Sequence, residues 1–69
     1  SDEATQQLRD SLLLLETKKY SEAIGELSEF LRDHADHPLA ETAQYLLGEC
    51  YFHQGEMQLA REEYQRVLV

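Results

Sequence analysis

Tryptophan is absent from this chain of 69 residues, and cysteine, methionine and proline occur once each. One cysteine, Cys50, cannot close an internal disulfide, so no covalent framework supports a chain this short. A domain of such size hides only about 60% of its unfolded surface, and well-formed helix packing or a partner has to supply the rest of its stability. Long apolar runs are missing too. Leu12 to Leu15 is too short to span a bilayer and too charged at its flanks for a signal peptide. Basic residues are scarce: six Lys and Arg face fourteen Asp and Glu, a net charge of −8. That balance repels phosphate backbones and anionic lipid, which excludes nucleic acid and direct membrane insertion and favours a basic or neutral protein surface as partner. Neither a Gly-rich phosphate loop nor a nucleophile with an oriented base can be identified. No catalytic residue is assigned, no enzyme activity is expected and no cofactor is implied.

What the chain does contain is helical periodicity. Ser1 can cap a first helix over about 2–16, with Asp2 and Glu3 where the helix dipole favours acid. Thr17-Lys18-Lys19 breaks it, and Ser21 can cap a second helix over about 20–33, whose Ala23, Ile24, Leu27, Phe30 and Leu31 share one face. After the polar stretch Asp33 to His37, Pro38 suits the first position of a third helix over about 38–54. Gly55 is its natural stop, and Met57, Ala60, Tyr64, Val67 and Leu68 form the stripe of a fourth over about 57–68. No strand-like alternation and no Gly/Ser linker occur. The expected fold class is all-α.

Sliding the chain on itself by 37 residues pairs Leu14 with Tyr51, Leu15 with Phe52, Tyr20 with Met57, Ala23 with Ala60, Leu27 with Tyr64 and Phe30 with Val67. One helix pair is used twice. The second half carries Leu47-Gly48-x-x-Tyr51 and then Ala60-x-x-x-Tyr64, which resembles the tetratricopeptide repeat. The resemblance implies two helix-turn-helix hairpins, repeat one over about 1–37 and repeat two over about 38–69, forming a fragment of an α-solenoid. The long loop, the Pro-led third helix and Ala43-x-Tyr45-x-Leu47-Gly48-Glu49-x-Tyr51 followed by Gln54-Gly55 are most similar to the repeats of periplasmic Tol-Pal-associated cell-division proteins. In that subgroup His37 stands where serine is usual and Leu46 where tryptophan is usual. This likeness implies a bacterial cell-envelope factor in the periplasm. The start without Met and the apolar end Val67-Leu68-Val69 lead us to expect a domain of a longer protein.

Packing explains most of the shared positions. Leu14, Tyr20, Ala23, Leu27, Phe30, Leu47, Gly48, Tyr51, Ala60 and Tyr64 are expected core residues, with Gly48 and Ala60 small where helices approach closely. Asp10, the counterpart of Leu47, indicates that the first helix has a water-facing edge. Glu22, Glu26, Glu29, Glu62 and Glu63 read as the wet sides of the second and fourth helices. His34 and His37 with Asp33 and Asp36, and Cys50 with His53, have spacings compatible with metal ligation, but a solvated loop and a buried thiol are the simpler readings, and no metal site is assigned.

Thr42, Tyr45, Glu49 and Phe52 lie on the side of the third helix opposite Leu47, Cys50 and Tyr51. In tetratricopeptide repeats this side of the first helices lines a concave groove for partner peptides. The resemblance therefore assigns Leu8, Leu12, Leu15, Tyr45, Glu49, Phe52 and His53 to partner binding, as an interaction scaffold in which Glu49 meets a basic ligand residue. The alternative is self-assembly, with the Leu8, Leu12 and Leu15 row making a homo-oligomer; a third reading covers that row within the monomer.

Overall fold

A computed structural model describes residues 2–68. Four helices follow in order, α1 (Glu3–Glu16), α2 (Tyr20–Asp33), α3 (Ala40–His53) and α4 (Met57–Leu68), and no strand forms among the described residues. Each helix packs on the next, α1 on α2, α2 on α3 and α3 on α4. The bounds of α1 and the start of α2 reappear in α3 and α4 when 37 is added to each number, as the sequence offset requires.

The turns within the two hairpins are built alike from different residues. After α1, Lys18 N–H donates to the Leu15 carbonyl and Lys19 N–H to the Leu14 carbonyl; after α3, Gly55 N–H donates to Phe52 and Glu56 N–H to Tyr51. Both sets of bonds satisfy helix-end carbonyls through one residue in the left-handed conformation. That residue is Gly55 at φ 80° in the second hairpin and Lys18 at φ 62° in the first. Only the lysine has a Cβ to crowd its own backbone there.

Helix entry differs from the sequence expectation in three places. Ser1 lies outside the described residues, and α1 is capped by Asp2, whose Oδ1 accepts the Thr5 N–H at 2.6 Å. Those Thr5 bonds hold the Asp2 carboxyl below its ordinary pKa, with a smaller contribution from His37. Ser21 does not cap α2. The cap position is Lys19, with no side-chain bond, and the Ser21 hydroxyl instead accepts the Gln54 amide at 3.0 Å, tying one hairpin turn to the other. Nor does Pro38 begin α3. The helix starts at Ala40, because His37 organises a turn ahead of it: its Nδ1 accepts the Leu39 N–H at 3.1 Å and its carbonyl accepts the Ala40 N–H at 2.9 Å. The imidazole thus supplies the acceptor that a serine hydroxyl can offer in such a turn.

The core runs across the junction of the hairpins. Ala4, Leu8, Ala23, Leu27 and Phe30 form one buried cluster with Ala43, Leu47 and Cys50 of α3. Asp10 is exposed, so the first edge of α1 faces water as its sequence requires. Glu63 does not: only 7% of it is accessible, and its carboxylate accepts from the Gln44 amide and pairs with Arg66 at 2.6 Å. With its oxygens bonded in this way a carboxylate tolerates burial.

Gly48 is buried because an aromatic ring takes the place of its side chain. A Cβ there would lie 2.6 Å from Cε1 and 2.7 Å from Cδ1 of Tyr64. The first hairpin solves the same register differently, with buried Ser11 at the glycine position, its hydroxyl donating to the Gln7 carbonyl at 3.0 Å, and Leu27 at the tyrosine position. Gly48→Ala is expected to destabilise the chain by about 1–3 kcal/mol through overpacking. In a Tyr64→Leu background the same change should become neutral or stabilising, since alanine is the better helix former; urea unfolding of the four-variant cycle measures this. Lys18→Gly is expected to raise stability by roughly 0.5–1 kcal/mol by relieving the left-handed lysine, read from the same unfolding curves.

Candidate functional site

Two neighbouring depressions open on the side of α3 that faces away from Leu47, and Tyr45 and Glu49 border both. The first, about 300 Å³, lies between the hairpins, where Leu12 and Leu15 of α1 meet Tyr45, Leu46, Glu49 and His53 of α3. The second, about 420 Å³, lies between α3 and α4 and is lined by Tyr45, Glu49, Phe52, Tyr64, Val67 and Leu68. Both are mainly apolar and aromatic with a carboxylate at the shared rim, a lining suited to holding another chain.

The sequence-assigned residues separate into three groups. Tyr45 and Phe52 are 48% and 49% exposed, large apolar surfaces presented to solvent. Leu12 is exposed and Leu15 half-buried, both at the edge of the first depression. Leu8 is the correction, with 5% of its surface accessible in the cluster formed with Leu27 and Phe30. The leucine row is therefore no continuous surface stripe, because α3 covers its beginning.

His53 has structural company as well as exposure. Its ring stacks on Tyr20, centroids 5.0 Å apart and planes 8° from parallel, beside the Ser21–Gln54 bond. These contacts hold the hairpin turns together at the end of the first depression. Glu49 is half-buried and accepts a hydrogen bond from the Tyr64 hydroxyl at Oε2. A carboxylate has further acceptor positions for an incoming donor. Burial first, and the Glu49 carboxylate second, push the Tyr64 phenol above its ordinary pKa, so it stays a neutral donor.

Tyr64 is the second revision. The Ala60-x-x-x-Tyr64 spacing placed it in the core, and its ring does fill the space over Gly48, yet it also walls the larger depression and lies 5.7 Å from the Tyr45 ring. Val67 and Leu46 were not assigned to a site at all. The signal was present for Leu46, a helical turn from the assigned Glu49, whereas Val67 lies a turn from Tyr64, which was read as core.

Of the residues weighed for metal binding, the histidines and Cys50 serve packing, and Asp33 and Asp36 are exposed. His34 and His37 set their rings against Phe30 at 5.4 and 5.5 Å, and His37 also reaches Asp2 at 3.6 Å. Among the described residues no three His, Cys, Asp or Glu side chains converge as a metal would require. Cys50 is fully buried, and burial, aided by the nearby Glu49 charge, pushes its thiol up to about 11. Among the described residues no helix is long and apolar enough to cross a membrane.

Paired antiparallel helices stacked in one row, with a graded apolar face on the first helix of each pair, define a helical-repeat protein of the interaction type. The tetratricopeptide repeat family model matches residues 8–69, and the chain belongs to that family, whose repeats mediate contacts between proteins. No significant match was found among curated proteins or among solved structures.

Cys50 is expected to resist thiol reagents in the native chain at about pH 8, where a group with so high a pKa is about one part in a thousand thiolate. Labelling followed by absorbance should proceed only as urea unfolds the helices.

Proposed function

We propose that the chain is a scaffold that holds a segment of a partner protein across the two adjoining depressions on this side of α3, with Leu12, Leu15, Tyr45 and Phe52 giving apolar contact and His53 closing one end. The observation that carries this reading is the exposure of Tyr45 and Phe52 beside a half-buried Glu49. Two large rings left in water cost solvation that a bound chain recovers, and the half-buried Glu49 carboxylate in a mainly apolar rim, with Glu16 at the edge of the first depression, selects a ligand with a Lys or Arg at the matching place. The net charge of −8 favours the same partner over long range.

An envelope function in the periplasm is the finer part of the proposal and rests on the likeness of residues 43–55 to the Tol-Pal-associated repeats. A secretory leader in the reading frame that encodes the chain would support it, and a frame without one would remove it. Self-assembly through the leucine row loses its main support, since Leu8 is buried.

Selection of a displayed peptide library against the chain should enrich sequences with a basic residue flanked by apolar ones. Tyr45→Ala and Phe52→Ala should each lower the affinity of the selected peptides by at least about tenfold, roughly 1.4 kcal/mol, with helicity unchanged by circular dichroism. Retained binding by both variants would show the groove assignment to be wrong.

A further inference from the structure

The depression between the hairpins is built from the middle of the chain. Its walls come from α1 and α3 and its end from Tyr20 at the start of α2, so neither end of the described chain borders it. Its volume of about 300 Å³ is roughly twice that of a cavity that holds one benzene ring, about 150 Å³. That is room for one long side chain and not for a helix. Two carboxylates enter it from opposite walls, Glu16 from α1 and Glu49 from α3. The 37-residue offset aligns Glu49 with Leu12 and His53 with Glu16, so the acids stand diagonally, one helical turn out of step. Neither belongs to an ion pair among the described residues. No Lys or Arg lines the depression, and Lys18 and Lys19, on the turn after Glu16, lie outside its lining. Aromatic surface completes it: the exposed His53 ring, stacked on Tyr20, and the Tyr45 phenol.

We propose that this depression takes a single arginine side chain of the partner segment, its guanidinium laid against the Tyr20–His53 stack between Glu16 and Glu49. The inference rests on the groove reading and names the side chain that the groove selects. Arginine is preferred to lysine on grounds of shape. A guanidinium is flat, stacks on aromatic rings and carries five N–H donors along its edges, so it can serve a carboxylate on each side while its face stays on a ring. An ammonium is a compact, strongly hydrated point charge with no flat face to stack. Leu12 and Leu15 offer apolar cover to the aliphatic stem that carries the guanidinium.

The same lining offers no cation to an acidic side chain or to a terminal carboxylate, so the partner's cation is what charge complementarity selects. A second copy of this chain is a poor source of that arginine. Two of its four arginines, Arg32 and Arg66, are held in ion pairs, and bringing copies together opposes two chains of charge −8.

The test uses the tripeptide acetyl-Leu-Arg-Leu-amide and two counterparts with lysine or citrulline in place of arginine; citrulline keeps the planar shape and removes the charge. Each is titrated into the isotope-labelled 69-residue chain and followed by NMR. The arginine probe should shift the signals of Glu16, Tyr20, Tyr45 and His53. It should bind at least about tenfold tighter than the citrulline probe and at least about threefold tighter than the lysine probe. Glu16→Gln and Glu49→Gln should each weaken the arginine probe by at least about threefold and leave the citrulline probe unchanged. Glu16 is exposed, and a glutamine at 49 still offers an acceptor to the Tyr64 hydroxyl, so both variants keep the fold. Glu62→Gln, which removes the same charge from an exposed position on α4, should have no effect and so separates a local site from net charge. Absence of binding by the arginine probe, equal binding of lysine and arginine, or indifference to Glu16→Gln would overturn the proposal. So would sedimentation showing a dimer that Glu16→Gln dissociates, which would make the occupant an arginine of a second copy. Those outcomes leave the groove reading standing as long as displayed-library peptides depend on Tyr45 and Phe52, whereas indifference of those peptides to Tyr45→Ala and Phe52→Ala removes the groove itself.

Discussion

The packing of α3 on the first hairpin holds this molecule together. Leu27 and Phe30 from α2 and Leu8 from α1 are buried against Ala43, Leu47 and Cys50, each large side chain contributing about 1.5–3 kcal/mol relative to exposure. The ion pairs cannot substitute for it. Arg32 meets Glu29 and Asp33 in open solvent, where screening and side-chain entropy cancel most of the attraction. The molecule is only 15 Å thick along its shortest axis, so few residues lie far from water, and the seam between hairpins gathers most of the buried apolar side chains among the described residues. The Tyr20–His53 stack and the Ser21–Gln54 bond extend that seam to the turns and hold the groove walls at a set separation.

The two hairpins share a plan and differ where they meet something else. At the close crossing, Ser11 with Leu27 in the first becomes Gly48 with Tyr64 in the second. The glycine removes a side chain so that a ring can lie flat against the helix, and the ring carries a hydroxyl to Glu49. Leucines at positions 8 and 12 become Tyr45 and Glu49. Each of these changes adds polarity or an aromatic surface to the face of the second hairpin, whereas the face covered by α3 is apolar throughout, with leucines and Phe30. An aliphatic face is stable when another helix hides it permanently; a face with phenols and a carboxylate tolerates water between encounters and still offers apolar area to a ligand. The asymmetry goes with one face being covered by α3 and the other being uncovered among the described residues.

Most of the architecture was legible because helices announce themselves locally. The stripe of α2 and the Gly55 stop rest on neighbours three or four residues apart and on turn chemistry, and the 37-residue offset and the exposed Asp10 edge on the repeat of one pattern. The helix entries were less legible. Ser21 and Pro38 have the right chemistry for the first turn of a helix, yet Ser21 is taken by Gln54 across the hairpin junction and Pro38 follows a turn organised by His37. Glu63 looked like one more acid on a wet face, and only its meeting with Gln44 and Arg66 makes its burial tolerable.

For the site, periodicity could assign a residue to a side of its helix but could not say what lies over that side. Leu8, Leu12 and Leu15 share a side of α1, and the crossing of α3 covers the first and leaves Leu12 exposed. Tyr45, Phe52 and Tyr64 have comparable apolar character, and their division between groove and core depends on where α4 passes. By itself, then, the sequence determined the four helices, their pairing into two like hairpins and the family to which they belong, because these depend on contacts within a turn or on the repeat of one pattern. The tertiary structure alone decided which apolar side chains are hidden and which remain open to a partner, because that depends on how helices far apart in the chain cross.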